Sequence, residues 1–151
     1  MKFLIINGPN LNMLGTREPE IYGTTTLDDI NNELVDFSKT ISNEIELIFF
    51  QSNHEGEIVD KIQNAKDFDG IIINPAAYTH TSIAIADALK SIDTTAVEVH
   101  LSNISSREDY RKISYTAPNC KGVIAGFGKE GYKLALLGLY NITKWTKNLN
   151  F

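Results

Sequence analysis

Apolar residues gather in five short, nearly continuous runs, at 3–6, 45–50, 71–73, 96–101 and 123–125. Unbroken runs of this length, as opposed to strict alternation, fit strands buried on both faces of a parallel sheet. Between the first two runs, Leu27, Ile30, Leu34, Phe37 and Ile41 recur at helical spacing. Thr26 stands in front of them as N-cap, with Asp29 three positions on in a variant of the capping box. Weaker helical patterns cover 55–68, 81–92, a short stretch at 107–112, and 131–149. Strand and helix therefore alternate along the whole chain.

Such alternation predicts an open three-layer α/β sandwich with right-handed crossovers. With five strands it favours the flavodoxin-like order 2-1-3-4-5, whose crevice lies beyond the carboxyl ends of strands 1 and 3. No repeat, low-complexity tract or linker interrupts the 151 residues, so one domain over 1–151 is expected.

Composition narrows the function classes. Fourteen basic against nineteen acidic side chains give a net charge of -5, without the basic footprint of a nucleic-acid binder. No apolar run approaches the length of a membrane span, and the four apolar residues after Lys2 are too few for a signal-peptide core, so a cytoplasmic protein is expected. The single cysteine, Cys120, excludes an internal disulfide and a Cys-rich zinc site, and reads as a small buried apolar group. Neither a metal nor a cofactor is expected.

The polar residues concentrate where strands 1, 3 and 4 end. Strand 1 runs into Asn7-Gly8-Pro9-Asn10 and a loop at 8–24 that carries Arg17 and Tyr22. Strand 3 runs into Asn74-Pro75 and then His80, and strand 4 ends on Glu98, His100 and Ser102. In the expected order these groups share one crevice, with hydroxyl and amide neighbours suited to a small polyhydroxy molecule. Taken singly each has a plainer reading: Asn and Pro end strands, and His80 caps a helix. Loop 8–24 is about 17 residues long, beyond the usual two to six, and loops of that kind are often lids. An Arg17 guanidinium close to Tyr22 would favour the phenolate and so create a base, although spacing alone favours an exposed aromatic on a surface loop.

Other motifs carry less. Gly126-Phe127-Gly128-Lys129-Glu130-Gly131 matches the dinucleotide-binding glycine pattern, but no later strand supplies the acidic ribose partner. A phosphoacceptor receiver needs acidic residues where Asn7 and Asn74 stand. His54 leaves strand 2 on the far side of strand 1 and reads as a helix-start residue.

The segment from Asn7 to Gly23, which opens Asn7-Gly8-Pro9-Asn10-Leu11-Asn12 and carries Arg17 and Tyr22, resembles the signature of the type II 3-dehydroquinate dehydratases. Asn74-Pro75-Ala76-Ala77-Tyr78-Thr79-His80-Thr81-Ser82, Glu98-Val99-His100-Leu101-Ser102-Asn103 and the pair Arg107 and Arg111 agree with it. The resemblance covers nearly the whole chain, and only the tail after Trp145 adds nothing to it.

The resemblance implies a flavodoxin-like lyase of the shikimate pathway, in aromatic amino acid and chorismate biosynthesis. It would dehydrate 3-dehydroquinate to 3-dehydroshikimate through an enolate, without a cofactor, as a homododecamer built from four trimers. Loss of a proton beside a ketone requires a base, donors for the enolate, and an acid for the departing hydroxyl. By resemblance Tyr22 is the base, Arg17 lowers its pKa, Asn10 stabilises the enolate through a water, and His100 is the acid, held by Glu98. Asn74, His80 and Arg111 resemble ligands of the ring hydroxyls. The amides of Leu101 and Ser102, with the Ser102 hydroxyl, resemble the carboxylate site, and strand-end amides make a reasonable anion nest. Asp87 resembles a residue reaching the site of a neighbouring subunit. No lysine falls inside these motifs, which speaks against a Schiff base. The competing expectation is a non-catalytic flavodoxin-like module for flavin binding or signalling.

Overall fold

The computed structural model describes residues 1–16 and 23–149. Five parallel strands, β1 (Lys2–Asn7), β2 (Glu46–Gln51), β3 (Gly70–Asn74), β4 (Ala96–His100) and β5 (Gly122–Ala125), pair in the order β2-β1-β3-β4-β5. The crossovers carry helices α1 (Leu27–Ile41), α2 (Glu55–Gln63) and α3 (Ile83–Lys90), and α4 (Glu130–Leu149) follows β5. The expected order 2-1-3-4-5 is the observed one.

Side chains on β1 alternate between two cores. Phe3 and Ile5 pack with Leu27, Ile30 and Leu34 of α1 and with Tyr132, Leu136 and Leu139 of α4. Leu4 and Ile6 face the other way, onto Ile58 and Ile62 of α2 and Ile85 and Leu89 of α3. The period of two in the strand thus meets the helical period of the covering layers. Each buried Leu, Ile or Phe contributes about 1.5–3 kcal/mol of transfer free energy. The anticipated capping box is present: Thr26 Oγ1 accepts from the Asp29 N–H at 3.1 Å, and Asp29 Oδ2 accepts from the Thr26 N–H at 2.9 Å.

Four details depart from the hydrophobic pattern. Only β1, β3 and β4 are buried on both faces; β2 and β5 lie at the edges, and Val123 is 46% exposed. The helix expected over 81–92 starts at Ile83, because Ser82 caps it by accepting from the Ile85 N–H at 2.9 Å, and Ala76–His80 forms a separate 3-10 turn. The helix expected over 55–68 ends at Gln63, where Asn64 turns its amide back to the Asp60 carbonyl at 2.7 Å. The stretch at 107–112 is no α-helix. Two 3-10 turns stand there instead, Ile104–Ser106 just before the stretch and Asp109–Arg111 inside it, and Asn103 fixes the first by accepting from the Ser105 N–H.

The carboxyl ends of β1 and β3 approach closely. Gly8 N–H donates to the Asn74 carbonyl at 2.8 Å, and a Cβ on Gly8 would stand 2.4 Å from the Pro75 oxygen. Only glycine fits between them.

Candidate active site

A cavity of about 270 Å³ opens where β1, β3 and β4 end. Of the residues singled out in the sequence, Asn10, Asn74, His80, His100, Leu101, Ser102 and Arg111 line it. Glu98 stands behind His100, fully buried, and Asp87 lies on the exposed side of α3, outside the cavity. Arg17 and Tyr22 lie outside the described residues.

His100 is 4% exposed, and its Nε2 lies 2.7 Å from Glu98 Oε1. Because the carboxylate accepts, Nε2 carries the hydrogen, and Nδ1 remains for chemistry in the cavity that the ring lines. Glu98 takes three further bonds, from Thr79 Oγ1 to Oε1 at 2.7 Å, from Ser114 Oγ to Oε1 at 3.0 Å and from Thr116 Oγ1 to Oε2 at 2.5 Å. Burial pushes the Glu98 carboxyl upward. The bonds from His100, Thr116 and Thr79 outweigh that and hold it below the usual glutamate range, so it is an anion at neutral pH. The same charge acts on Cys120, whose thiol is pushed up to about 12, first by burial and then by Glu98. Cys120 is half-buried beside the α2 and α3 core, not wholly enclosed as the sequence suggested, and as a thiol it is a poor nucleophile.

His80 is set differently. Its Nδ1 lies 2.7 Å from the Ile113 carbonyl, which can only accept, so a neutral ring offers a bare Nε2 as acceptor for a hydroxyl. His54, read as a helix-start residue, is indeed the residue before α2, and its side chain makes no cap bond.

Asn74 is fixed on both sides of its amide. Oδ1 accepts from the Ala76 N–H at 3.1 Å, and Nδ2 donates to the Tyr132 hydroxyl at 3.0 Å. That hydroxyl in turn donates to Asn7 Oδ1 at 2.5 Å. One Nδ2 hydrogen remains for a ligand. Asn10 is exposed and left-handed, with φ 67°, and its N–H donates to Asn53 Oδ1 at 2.9 Å. Ala76, φ 52°, is the other non-glycine residue with positive φ among the described residues. Both line the cavity, where strained backbone often serves function.

Leu101 and Ser102 leave β4 in a bend pinned from the β5–α4 connection. Gly126 N–H donates to the His100 carbonyl at 3.2 Å, and Gly128 N–H to the Leu101 carbonyl at 2.9 Å. The glycine pattern at 126–131 therefore braces the turn: Gly126 and Gly128 have positive φ, and Gly131 packs against Val99. Elsewhere in the lining Glu108 accepts from Arg111 Nε at 3.0 Å and faces Arg107 Nε at 3.5 Å. Two guanidiniums thus border the cavity beside one carboxylate.

Residue-by-residue reading missed Thr79, Ser114, Thr116 and Tyr132. The first three are visible only as a cluster of hydroxyls in two distant segments, and Tyr132 looked like helix core. No group of three or more His, Cys, Asp or Glu that could hold a metal occurs among the described residues.

The fold and this site define an α/β protein of flavodoxin-like topology with a polar small-molecule pocket at its topological switch point. Residues 1–140 match the family model for dehydroquinase class II, and the chain belongs to that family. It is 58% identical to the 3-dehydroquinate dehydratase of Geotalea daltonii over 145 residues, covering 95% of this chain and 99% of that protein. Identity with the Helicobacter acinonychis 3-dehydroquinate dehydratase is 55% over 144 residues, covering 94% and 86%. The crystal structure of the type II dehydroquinase from Butyrivibrio crossotus superimposes with a TM-score of 0.89 at 50% identity, over 93% of this chain and 97% of that one.

Proposed function

We propose that the chain is a type II 3-dehydroquinate dehydratase, a lyase that converts 3-dehydroquinate to 3-dehydroshikimate through an enolate in the shikimate pathway. Family membership and the names of the relatives support the reaction. The observation that carries it is the meeting of His100, His80, Asn74, Ser102 and Arg111, from the ends of β3 and β4 and the loop beyond β4, around one cavity. Type II chemistry forms no Schiff base, so the proton transfers fall to the residues themselves.

In this reading Tyr22, with its pKa lowered by Arg17, removes the proton beside the ketone. Asn10 steadies the enolate through a water, and His100 Nδ1 protonates the departing hydroxyl while Glu98 holds Nε2. Atoms balance: the carbon acid loses a proton to the phenolate, the enolate expels the β-hydroxyl, and the imidazolium proton leaves with it as water. Asn74, His80 and Arg111 take the ring hydroxyls, and the amides of Leu101 and Ser102, with the Ser102 hydroxyl, take the carboxylate. A bare His80 Nε2 suits a hydroxyl donor, and the two arginines give the pocket the positive charge an acid substrate requires.

The catalytic unit is one domain over 1–151, acting in the cytoplasm without cofactor. Among the described residues no helix is long and apolar enough to cross a membrane. The assembly is a homododecamer, a tetramer of trimers, in which Asp87 reaches a neighbouring site; an exposed Asp87 outside its own cavity supports this. A flavin-binding or signalling module is not favoured, given the family and the relatives' activity. The test is direct. Purified protein mixed with 3-dehydroquinate should generate the ultraviolet absorbance of a conjugated enone, and a colourless, correctly folded protein that leaves the substrate unchanged overturns the reading.

A further inference from the structure

Residues 113–116, between the 3-10 turn at Asp109–Arg111 and another at Ala117–Asn119, touch His80 directly and reach His100 through Glu98. The Ile113 carbonyl receives His80 Nδ1 at 2.7 Å, and the Tyr115 N–H donates to the Thr79 carbonyl at 2.8 Å. Ser114 and Thr116 turn their hydroxyls toward the pair of Glu98 and His100. This strap is one short segment laid across the back of the site.

Three hydroxyls cluster on the Glu98 carboxylate. Thr116 Oγ1 has a carboxylate oxygen, Oε2, at 2.5 Å and donates to it. Thr79 Oγ1 donates to Oε1 at 2.7 Å and lies 2.7 Å from both Ser114 Oγ and Thr116 Oγ1. Ser114 Oγ is within donating distance of Oε1 at 3.0 Å, while its own oxygen accepts from the Ala117 N–H at 2.9 Å. Oε1 then faces His100, Thr79 and Ser114, Oε2 holds Thr116, and no buried side-chain nitrogen or oxygen among the described residues is without a partner. A carboxylate so deeply buried stays charged only while such donors face it.

We propose that Thr79, Ser114 and Thr116 are positioning residues of the acid step: their hydroxyls keep Glu98 an anion, so that the proton shared by the pair stays on His100. None touches the cavity, so they act through Glu98. Without them the Glu98 carboxyl takes the proton itself, and His100 becomes a neutral imidazole, a far weaker acid. The other titratable groups around the pair are the Cys120 thiol on the Glu98 side and His80, Arg107, Glu108 and Arg111 on the cavity side; the substitutions below alter none of them. The proposal rests on the reading of His100 as the acid.

Thr116→Val keeps the shape and removes the hydroxyl; Thr116→Ser restores a hydroxyl, and Ser114→Ala probes the outer, less buried member of the chain. In heavy water, with 3-dehydroquinate, Thr116→Val should eliminate water at least tenfold more slowly than wild type while still exchanging the α proton. KM should stay within a few-fold, and Thr116→Ser should recover most of the rate. A folded Thr116→Val with wild-type elimination, or with exchange and elimination lost equally, overturns the proposal. Should Thr116→Val fail to fold, Ser114→Ala decides by the same comparison, with a smaller loss expected. Nitrogen-15 NMR of the His100 ring near neutral pH gives a readout free of turnover: the imidazolium signature should weaken in Thr116→Val and return in Thr116→Ser, and an unchanged ring overturns the proposal. Wild-type protein inert toward 3-dehydroquinate would count against the enzymatic reading alone, leaving the NMR comparison to judge the hydroxyls.

Discussion

The Tyr132 hydroxyl donates to Asn7 Oδ1 at 2.5 Å, joining the last helix to the end of the first strand across 125 positions of sequence. It also accepts from Asn74 Nδ2, so the end of β3 is held by the same oxygen. Burial pushes this phenol well above its usual pKa, so it is a neutral donor at neutral pH.

Tyr132→Phe leaves Asn7 Oδ1 and Asn74 Nδ2 without that oxygen in a dry interior. The expected cost is about 1–3 kcal/mol of stability, measurable by urea unfolding. KM for 3-dehydroquinate should rise more than kcat falls, because Asn74 is a binding group in the proposed mechanism. Equal stability in the variant would show that water replaces the phenol.

Proton abstraction and elimination should separate genetically. Tyr22→Phe should lose both, by about a hundred- to ten-thousandfold, since a positioned base contributes that much. His100→Ala should still exchange the α proton with solvent deuterium while forming product slowly. Proton NMR follows the two signals in one sample, and loss of exchange in His100→Ala with substrate still bound would assign His100 to abstraction instead.

Acid should unfold the protein partly through Glu98. The folded carboxyl titrates below its ordinary value of 4.5, so between the two values the unfolded chain binds more protons and stability rises with pH. The contribution is complete above about 4.5 and is lost as pH falls through the lower folded value. Glu98→Gln should therefore show a shallower fall of Tm below pH 4.5 than wild type. Identical slopes would remove Glu98 from the acid response.

Two glycine-to-alanine changes should act in opposite directions. Gly8→Ala drives a Cβ into the Pro75 carbonyl and forces the ends of β1 and β3 apart, so it should destabilise by several kcal/mol, as other overpacked sites do, and abolish activity. Gly138→Ala, in the interior of α4 with open space around it, should stabilise by about 1 kcal/mol. Thermal melts of the two variants check both signs.

Assembly is testable at Asp87. Asp87→Ala should lower kcat/KM, because the residue acts on a neighbouring site in the proposed trimer. Light scattering should report a multiple of three chains in wild type, and a fully active monomer would contradict the assembly.

The sequence by itself determined the layers, the strand order and most of the cavity. Runs such as Phe3 to Ile6 can be buried only by covering both faces, and alternation with helices then restricts the topology to few forms. Strand ends carry their chemistry locally, so Asn10, Asn74, His80 and His100 were legible where they stand. The spacing of Glu98 and His100 on one strand was enough to pair them, because side chains two apart share a face. Tertiary structure alone decided who keeps Glu98 charged and who holds Asn74. Thr79, Ser114 and Thr116 come from segments separated by more than thirty residues, and Tyr132 from a helix at the far end of the chain. Nothing in the local pattern distinguishes a threonine that ends a turn from one that bonds a buried carboxylate. Helix ends were decided in the same way, by caps such as Ser82 and Asn64, since hydrophobic periodicity fades where the chain leaves the core and a single side-chain bond to the backbone sets the boundary.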